Sequence, residues 1–505
     1  MAELIRPHAE AKGDEVALID ERATRTWAEL DERVNRWVHA LRGVGVQPGD
    51  VIALLCGNRC EAFEAMVAAG HAGVRIVPVN WHWTAEELAY VLADSGSRVL
   101  IADDRYADVA AEGLAALPEP LAAAVVMRDD APAGFVGLEE WLAAASADEP
   151  DDQRYGGPMF YTSGTTGFPK GVKSSLLEPG MPASIGGLVA GTVCEGLHLP
   201  ADGVTALCGP LYHSAQWAWS VLPLVMGSRV VMQHRFDPAE LLSLFDEHRV
   251  TNVHLVPTQF IRLLKLPQDV KDAFDGSSLQ VVWHGAAPCS PQVKRDMIEW
   301  FGPIIHEYYG GTEGGIISTI SSTEWLERPG SVGVPGPTYE IRILDEDGND
   351  QPTGQPGQIW FRQSDGRDFE YHNAPEKTAA AHREGGFGTL GDIGYFDEDG
   401  YLYLSDRKID MIISGGVNIY PAEIEGVLVT HPAVKDAAVF GIPHDEMGEE
   451  VKAAVELVDG HEPSDELAAE LIRHVREHLA GYKAPRSIDF EDEFPRHPTG
   501  KLYKR

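Results

Sequence analysis

The chain has 505 residues and a formal charge of −37, from 41 Lys and Arg against 78 Asp and Glu, and 44% of it is apolar. That composition belongs to a globular protein of more than one domain and excludes a disordered or fibrous chain. So acidic a chain repels phosphate polymers and anionic headgroups, which argues against nucleic acid or a membrane surface as partner; a small anion gripped by backbone N–H groups and single cations is not excluded.

The opening Met1-Ala2-Glu3-Leu4-Ile5 has no basic run before an apolar stretch, and nowhere do 18 apolar residues run together. A cytoplasmic protein without an integral membrane segment is therefore expected. Cys56, Cys60, Cys194, Cys208 and Cys289 form an odd, scattered set, which reads as reduced core thiols rather than a disulfide framework. Cys56 and Cys60 have no second ligand pair near them, so core packing outweighs a metal site there.

In residues 1–150 the spacing of Leu30, Val34, Trp37, Val38 and Leu41 predicts a helix ending near Gly43, and apolar runs at 51–55 and 99–102 predict buried strands. Strand, helix and strand in turn are the mark of crossover units on a parallel sheet. The middle repeats the scheme. A strand at 253–256 runs into a helix beginning near Thr258; a strand at 279–283 is followed by a turn at 285–288 and a helix over 291–300; a strand at 304–309 opens into a glycine-containing loop at 310–315. Ligands of such sheets sit beyond the carboxyl ends of strands, so the loops at 284–288 and 310–315 are the places to expect one. After residue 330 the turn sequences at 345–349 and 397–400 announce hairpins. Beyond about 410 a compact mixed unit follows, with a helix from Pro421, strands at 437–441 and 451–458, and a helix opening near Pro463 whose apolar face carries Leu467, Leu471, Val475 and Leu479. No repeat is visible.

The strongest chemical signal is Tyr161-Thr162-Ser163-Gly164-Thr165-Thr166-Gly167-Phe168-Pro169-Lys170-Gly171. Glycines let the backbone approach a ligand, hydroxyls supply hydrogen bonds, and Lys170 adds a point charge, which together describe a phosphate-holding loop. It is not a Walker A loop, because Lys170 is preceded by Pro and followed by Gly. Further along stand Tyr309-Gly310-Gly311-Thr312-Glu313, Gly391-Asp392, Ser405-Asp406-Arg407, Ser414-Gly415-Gly416 and Pro498-Thr499-Gly500-Lys501. Taken singly each has a plainer use: a flexible turn, a capping Glu313, a turn-shaping Asp392, a solvated Lys501 near the C-terminus.

Together and in this order the motifs resemble the adenylate-forming superfamily, which comprises acyl-CoA synthetases, aryl-CoA ligases, adenylation domains and luciferases, and within it bacterial fatty-acyl-CoA synthetase-like ligases. The resemblance runs from about residue 10 to the end. It implies an α/β fold with a large N-terminal domain of stacked α/β subdomains carrying a small β-barrel-like part (1–406), a hinge (407–410) and a small mobile α+β C-terminal domain (411–505). It implies ATP, Mg²⁺ and coenzyme A, and roles for single residues. Thr162, Ser163, Gly164, Thr165, Thr166, Gly167 and Lys170 would take the β- and γ-phosphates; Thr312 the α-phosphate; Glu313 the Mg²⁺. Tyr309, Gly310 and the Gly285-Ala286-Ala287 turn would border adenine, with Asp392 and Arg407 on the ribose. Lys501 would reach the charge developing between carboxylate and α-phosphate. Ser414, Gly415 and Gly416 would pass the pantetheine arm of CoA. The hinge departs from the common pattern, with Ile409 where relatives carry Asp or Lys.

For the acid, His213 stands where relatives place an aromatic or His at the mouth of the acyl site, and either gates the thiol or serves as a core histidine. Trp217, Trp283 and Ile316 are the expected pocket wall, with Gly285, Gly310 and Gly311 making room. No cation is evident there, which favours a hydrophobic monocarboxylate (fatty, aryl or polycyclic) over a dicarboxylate or amino acid. The expected activity is an ATP-dependent acid–CoA ligase working through acyl-AMP. Alternatives are transfer to an amine or a carrier-protein thiol and, more remotely, a nucleotide sensor without catalysis. A homodimer is one assembly the sequence allows.

Overall fold

The structure is a computed structural model that describes residues 4–162, 169–174, 179–407, 411–414, 417–444 and 447–494. The chain divides into two units: Met1–Leu255 with Leu266–Trp283 and Arg367–Ala380, and Val256–Lys265 with His284–Gly366 and Ala381–Arg505.

The first unit is built on parallel sheets. One runs Arg75–Pro78, Val51–Leu55, Ser97–Ala102, Ala123–Val126 and Val136–Gly137, all pairs parallel. Val51–Leu55 and residues 99–102 are apolar at every position because both faces of the sheet are covered there. Ile52, Leu54 and Ile101 point into a core shared with Leu30, Val34, Trp37 and Leu41 of helix Trp27–Gly43. The alternate residues Ala53, Leu55 and Leu100 enter a second core with Leu88, Val91 and Leu92 of helix Ala85–Ser95. Both helices start on a capping box, Thr26 with Glu29 and Thr84 with Glu87, which satisfies backbone donors the first turn leaves open. A second sheet runs Thr24–Thr26, Val16–Ile19, Arg229–Met232, Val204–Leu207, Asn252–Leu255 and Val281–His284. A third, antiparallel, joins Phe369–Tyr371, Lys170–Ser174 and Phe160–Thr162. All five cysteines are free, Cys56 and Cys60 buried in the core.

The second unit follows the turn sequences. Ile305–Gly311, Gly315–Ile320, Ser331–Pro335, Leu402–Arg407, Asp392–Phe396, Gly357–Gln363, Phe387–Gly388 and His382–Arg383 neighbour one another in that order, every pair antiparallel. Beyond residue 411 a separate core forms around Ile412, Ile419, Ile424, Leu428, Val439, Val451, Leu471 and Val475, from helices Pro421–Leu428 and Asp465–His478 and the strands beside them. Ser290 Oγ donates to the Gly426 carbonyl at 3.2 Å, and Lys265 Nζ to that of Val434 at 2.6 Å.

Two sequence expectations are corrected. The strand expected at 279–283 is Val281–His284, so His284 lies within it, fully buried. The expected loop at 310–315 is shorter: Gly310 and Gly311 stay in the strand and pair with Ile316 and Gly315. The hairpin closes this tightly because Gly310 lacks a Cβ, which would stand 1.9 Å from the Gly315 carbonyl oxygen. Among the described residues no helix is long and apolar enough to cross a membrane.

Candidate active site

In the second unit, three elements bring together residues far apart in sequence. Tyr309, near the end of strand Ile305–Gly311, is buried and its phenol donates to Asp392 Oδ2 at 2.9 Å. Asp392 opens its strand directly after Gly391, whose φ of +84° turns the chain where other residues would be strained. The hairpin register then sets Asp392 opposite Arg407. Thr312 and Glu313 occupy the tip of the Ile305–Gly311 hairpin, both half-buried, and the Glu313 carboxylate lies 3.4 Å from where a Cβ on Gly311 would stand.

The 285–287 turn belongs to the same unit. Gly285 fits because a Cβ there would sit 2.5 Å from the Tyr308 ring. Ala286 has a φ of +65° and is exposed, a left-handed conformation that costs an alanine about 1 kcal/mol and persists only where the surroundings impose it. The space left by the missing side chains of Gly285 and Gly310 is taken by Tyr308 and by the Gly315 backbone.

The stretch 162–170, expected to hold phosphate, belongs to the first unit. Its ends are pinned as a ladder pair, Thr162 opposite Lys170, while Ser163, Gly164, Thr165, Thr166 and Gly167 lie outside the described residues. Lys170 Nζ stands 5.0 Å over the Tyr371 ring, a cation–π contact. Below the loop Asp94 gathers the neighbouring strands: Tyr161 donates to its carboxylate at 2.7 Å, and His372 Nε2 and Asn373 Nδ2 reach its carbonyl at 2.9 and 3.0 Å.

His213 caps helix Ser214–Val225, its carbonyl accepting from Trp217 N–H at 2.9 Å. Trp217 is half-buried, edge-on to Phe160 at 6.1 Å. Gln216 binds His254 Nδ1 at 2.9 Å, and burial first, then the nearby His213, lowers His254 to about 3, so this imidazole is neutral. Trp283 is committed to the core: its indole N–H donates to the Leu197 carbonyl at 2.8 Å and its ring lies 6.0 Å from that of Trp219. Ile316 is half-buried in strand Gly315–Ile320 of the second unit. Ser414 ends strand Ile412–Ser414 and pairs with Val417 and Gly448. Gly415, Gly416, Lys501 and hinge residues 408–410 lie outside the described residues.

Sequence reasoning passed over Lys294, Glu307 and His284, which lie beneath the 285–287 turn, and Tyr371, which holds Lys170. A signal existed for the first two. Lys294 interrupts the buried stripe Val293, Met297, Ile298 of helix Pro291–Phe301, and Glu307 stands among Ile305, Tyr308 and Tyr309 in a buried strand. A charge at a core position needs a partner.

The sequence matches the family described as "AMP-binding enzyme" over residues 5–365 and the "AMP-binding enzyme C-terminal domain" over 423–501. It is 35% identical to a feruloyl-CoA synthase of an Amycolatopsis species over 486 residues, 95% of this chain and 92% of that one. The fold is similar to the o-succinylbenzoate CoA synthetase of Bacillus subtilis, solved with its acyl-adenylate intermediate, at a TM-score of 0.81 and 29% identity over 99% of this chain and 96% of that one. It is similar also to an amide bond synthetase from Marinactinospora thermotolerans, at a TM-score of 0.82 and 28% identity over 100% and 98%.

Proposed function

The chain belongs to the AMP-binding enzyme family and is an adenylate-forming ligase, and we propose that it joins a hydrophobic monocarboxylic acid to coenzyme A at the expense of ATP. The observation that carries the nucleotide assignment is the bond from Tyr309 to Asp392, whose backbone pairs with that of Arg407, with Thr312 and Glu313 at the tip of the hairpin that carries Tyr309. A half-buried carboxylate at the end of a rigid strand, and a phenol bound to a second one, suit a ribosyl phosphate better than a structural turn.

Attack of one carboxylate on ATP brings two anions together, so the protein must neutralise charge and hold the partners in line. In our reading a carboxylate oxygen forms a bond to the α-phosphorus, the bond from that phosphorus to the bridging oxygen of the β-phosphate breaks, and pyrophosphate leaves with the electron pair. Lys170 and the 162–167 loop stabilise the departing charge. Thr312 donates to the α-phosphate; Asp392 accepts from the ribose hydroxyls with Arg407 beside it; Tyr309 and the 285–287 turn border adenine. Lys501 sets its ammonium against the charge between carboxylate and phosphorus. Glu313 fits Mg²⁺, which takes one or two carboxylates together with phosphate oxygens and, when bound, neutralises part of the phosphate charge.

The second step moves the acyl group to sulfur. The thiol gives up its proton, the sulfur bonds to the carbonyl carbon, and AMP leaves with the carbon–oxygen bonding pair. Ser414, Gly415 and Gly416 border the pantetheine arm, with His213 at the acyl mouth and Trp217 and Ile316 along the acid. The two steps are served by one hinge at 407–410 between parts 1–406 and 411–505. The cytoplasm, where ATP and CoA are at hand, is the setting this reading implies.

Acid-dependent ATP–pyrophosphate exchange tests the first step. Lys501→Ala should lower it about a hundredfold while sparing transfer from supplied adenylate; equal loss of both steps would sink the role of Lys501. A pyrophosphate-release screen over fatty, aryl and polycyclic acids, with and without CoA, tests the substrate class. The likeness to an amide bond synthetase supports a second reading in which an amine takes the acyl group. Thioester formed from acid, ATP and CoA without amine decides for the ligase, and amide alone decides for the second reading.

A further inference from the structure

Beneath the 285–287 turn lies a charged cluster for which neither reaction step has a use. Lys294 is completely buried, and its ammonium donates to Glu307 Oε2 at 2.6 Å while standing 4.9 Å over the Trp325 ring. His284 Nε2 lies 3.6 Å from the same oxygen, its ring 5.0 Å from that of Phe260. Burial pushes the Glu307 carboxyl up and Lys294 opposes it.

The three residues mark three ends of the adenosine region. His284 is the last residue of its strand and precedes Gly285; Lys294 lies in the first turn of the helix that leaves the turn; Glu307 stands two positions before Tyr309 on the same strand face. Replacing a buried ion pair with apolar side chains of similar shape is often neutral or stabilising, so packing alone gives no reason for charges among Val293, Met297, Ile298 and Ile305. What an ammonium–carboxylate contact offers, and a methionine against a leucine does not, is a fixed length and direction between helix and strand. The turn it supports needs that restraint, since Ala286 holds a left-handed φ of +65°.

We infer that Lys294 and Glu307 are positioning residues for the nucleotide: their buried ion pair, with His284 against it, locks the 285–287 turn and the Tyr309 strand into one cradle for adenosine. The inference rests on the reading of Tyr309 and the turn as the border of adenine.

The test is the double variant Lys294→Met with Glu307→Gln, which removes both charges and keeps the shapes, in acid-dependent ATP–pyrophosphate exchange. The expected result is a melting temperature at or above that of either single variant, a KM for ATP raised about tenfold, and a KM for the acid within about twofold of the parent. A double variant with the parent's KM for ATP overturns the inference and leaves the pair a core contact. Should the double variant not fold, Glu307→Asp, which keeps both charges and shortens the reach by one methylene, carries the same readout: a raised KM for ATP supports the cradle and an unchanged one overturns it. Tyr309→Ala runs alongside. If it too leaves the KM for ATP unchanged, the adenine assignment falls and takes the inference with it; if it alone raises that KM, only the role of the ion pair is lost.

Discussion

Each unit buries carboxylates, and Glu64 of the first is held differently from Glu307 of the second. Glu64, completely buried in helix Cys60–Ala72, accepts from Arg25 and Arg33 on Oε1 at 3.0 and 2.7 Å and from the Trp37 indole on Oε2 at 3.1 Å. Arg33 goes on to grip Glu139 through two bonds of 2.9 and 2.7 Å. The network joins strand Thr24–Thr26 to helices Trp27–Gly43, Cys60–Ala72 and Leu138–Ala143, and none of its members is assigned to chemistry. Glu307 meets one ammonium and one imidazole, two positions before Tyr309 on its strand. Planar guanidinium donors saturate a carboxylate from several elements at once, which suits a scaffold. A single lysine fixes one vector, which suits the placement of a neighbouring site.

The sharpest way to break this division is Glu64→Ala. It leaves two guanidinium groups without their buried partner, and should cost about 3–5 kcal/mol, read as a lower urea midpoint, with KM for ATP and acid unchanged in the folded fraction. A changed KM would mean that the clamp also sets the site.

Acid should next separate the units. His71 is completely buried, with no hydrogen-bond partner among the described residues on either ring nitrogen, and burial lowers it to about 4; His254 is lowered to about 3. Both lie in the first unit. The unfolded chain binds their protons first, so stability is full above the ordinary histidine value near 6.5 and falls as pH drops from there toward 4. His71 contributes roughly 3 kcal/mol to that loss. His71→Leu should flatten the acid limb and raise the melting temperature at neutral pH. A melting temperature that does not change between pH 7 and 5 would refute this.

A smaller effect is expected on the other side of the comparison. Tyr309→Phe removes the bond to Asp392, worth about 1.5 kcal/mol where the acceptor is charged, and should raise KM for ATP about tenfold with little change in the urea midpoint. A large stability loss with KM intact would make that bond a scaffold contact like those of Glu64. The smallest effect belongs to Ala286→Gly. Relief of the positive φ and the added freedom of the unfolded chain oppose each other, so stability should stay within about 0.5 kcal/mol of the parent. A larger gain would show that strain in this turn is stored rather than imposed by its neighbours.

Much of the molecule was legible from local signals. The run at 51–55 announced a strand covered on both faces, Leu30 to Leu41 a helix, and 397–400 the hairpin that sets Asp392 opposite Arg407. Not legible were the partner strand on which Gly310 closes and the carbonyl 86 residues away that the Trp283 indole answers.

Sequence alone determined the order of the elements and the residue types available for chemistry, because helix and strand periods, turn residues and motifs act over a few positions. Tertiary structure decided which of these meet. Tyr309 finds Asp392 across 83 residues, Glu64 finds Arg33 across 31, and Lys294 meets Glu307 only when helix and strand pack. A buried charge is a liability that local sequence cannot resolve, and the folded chain turns it into a clamp or a cradle by what it places opposite.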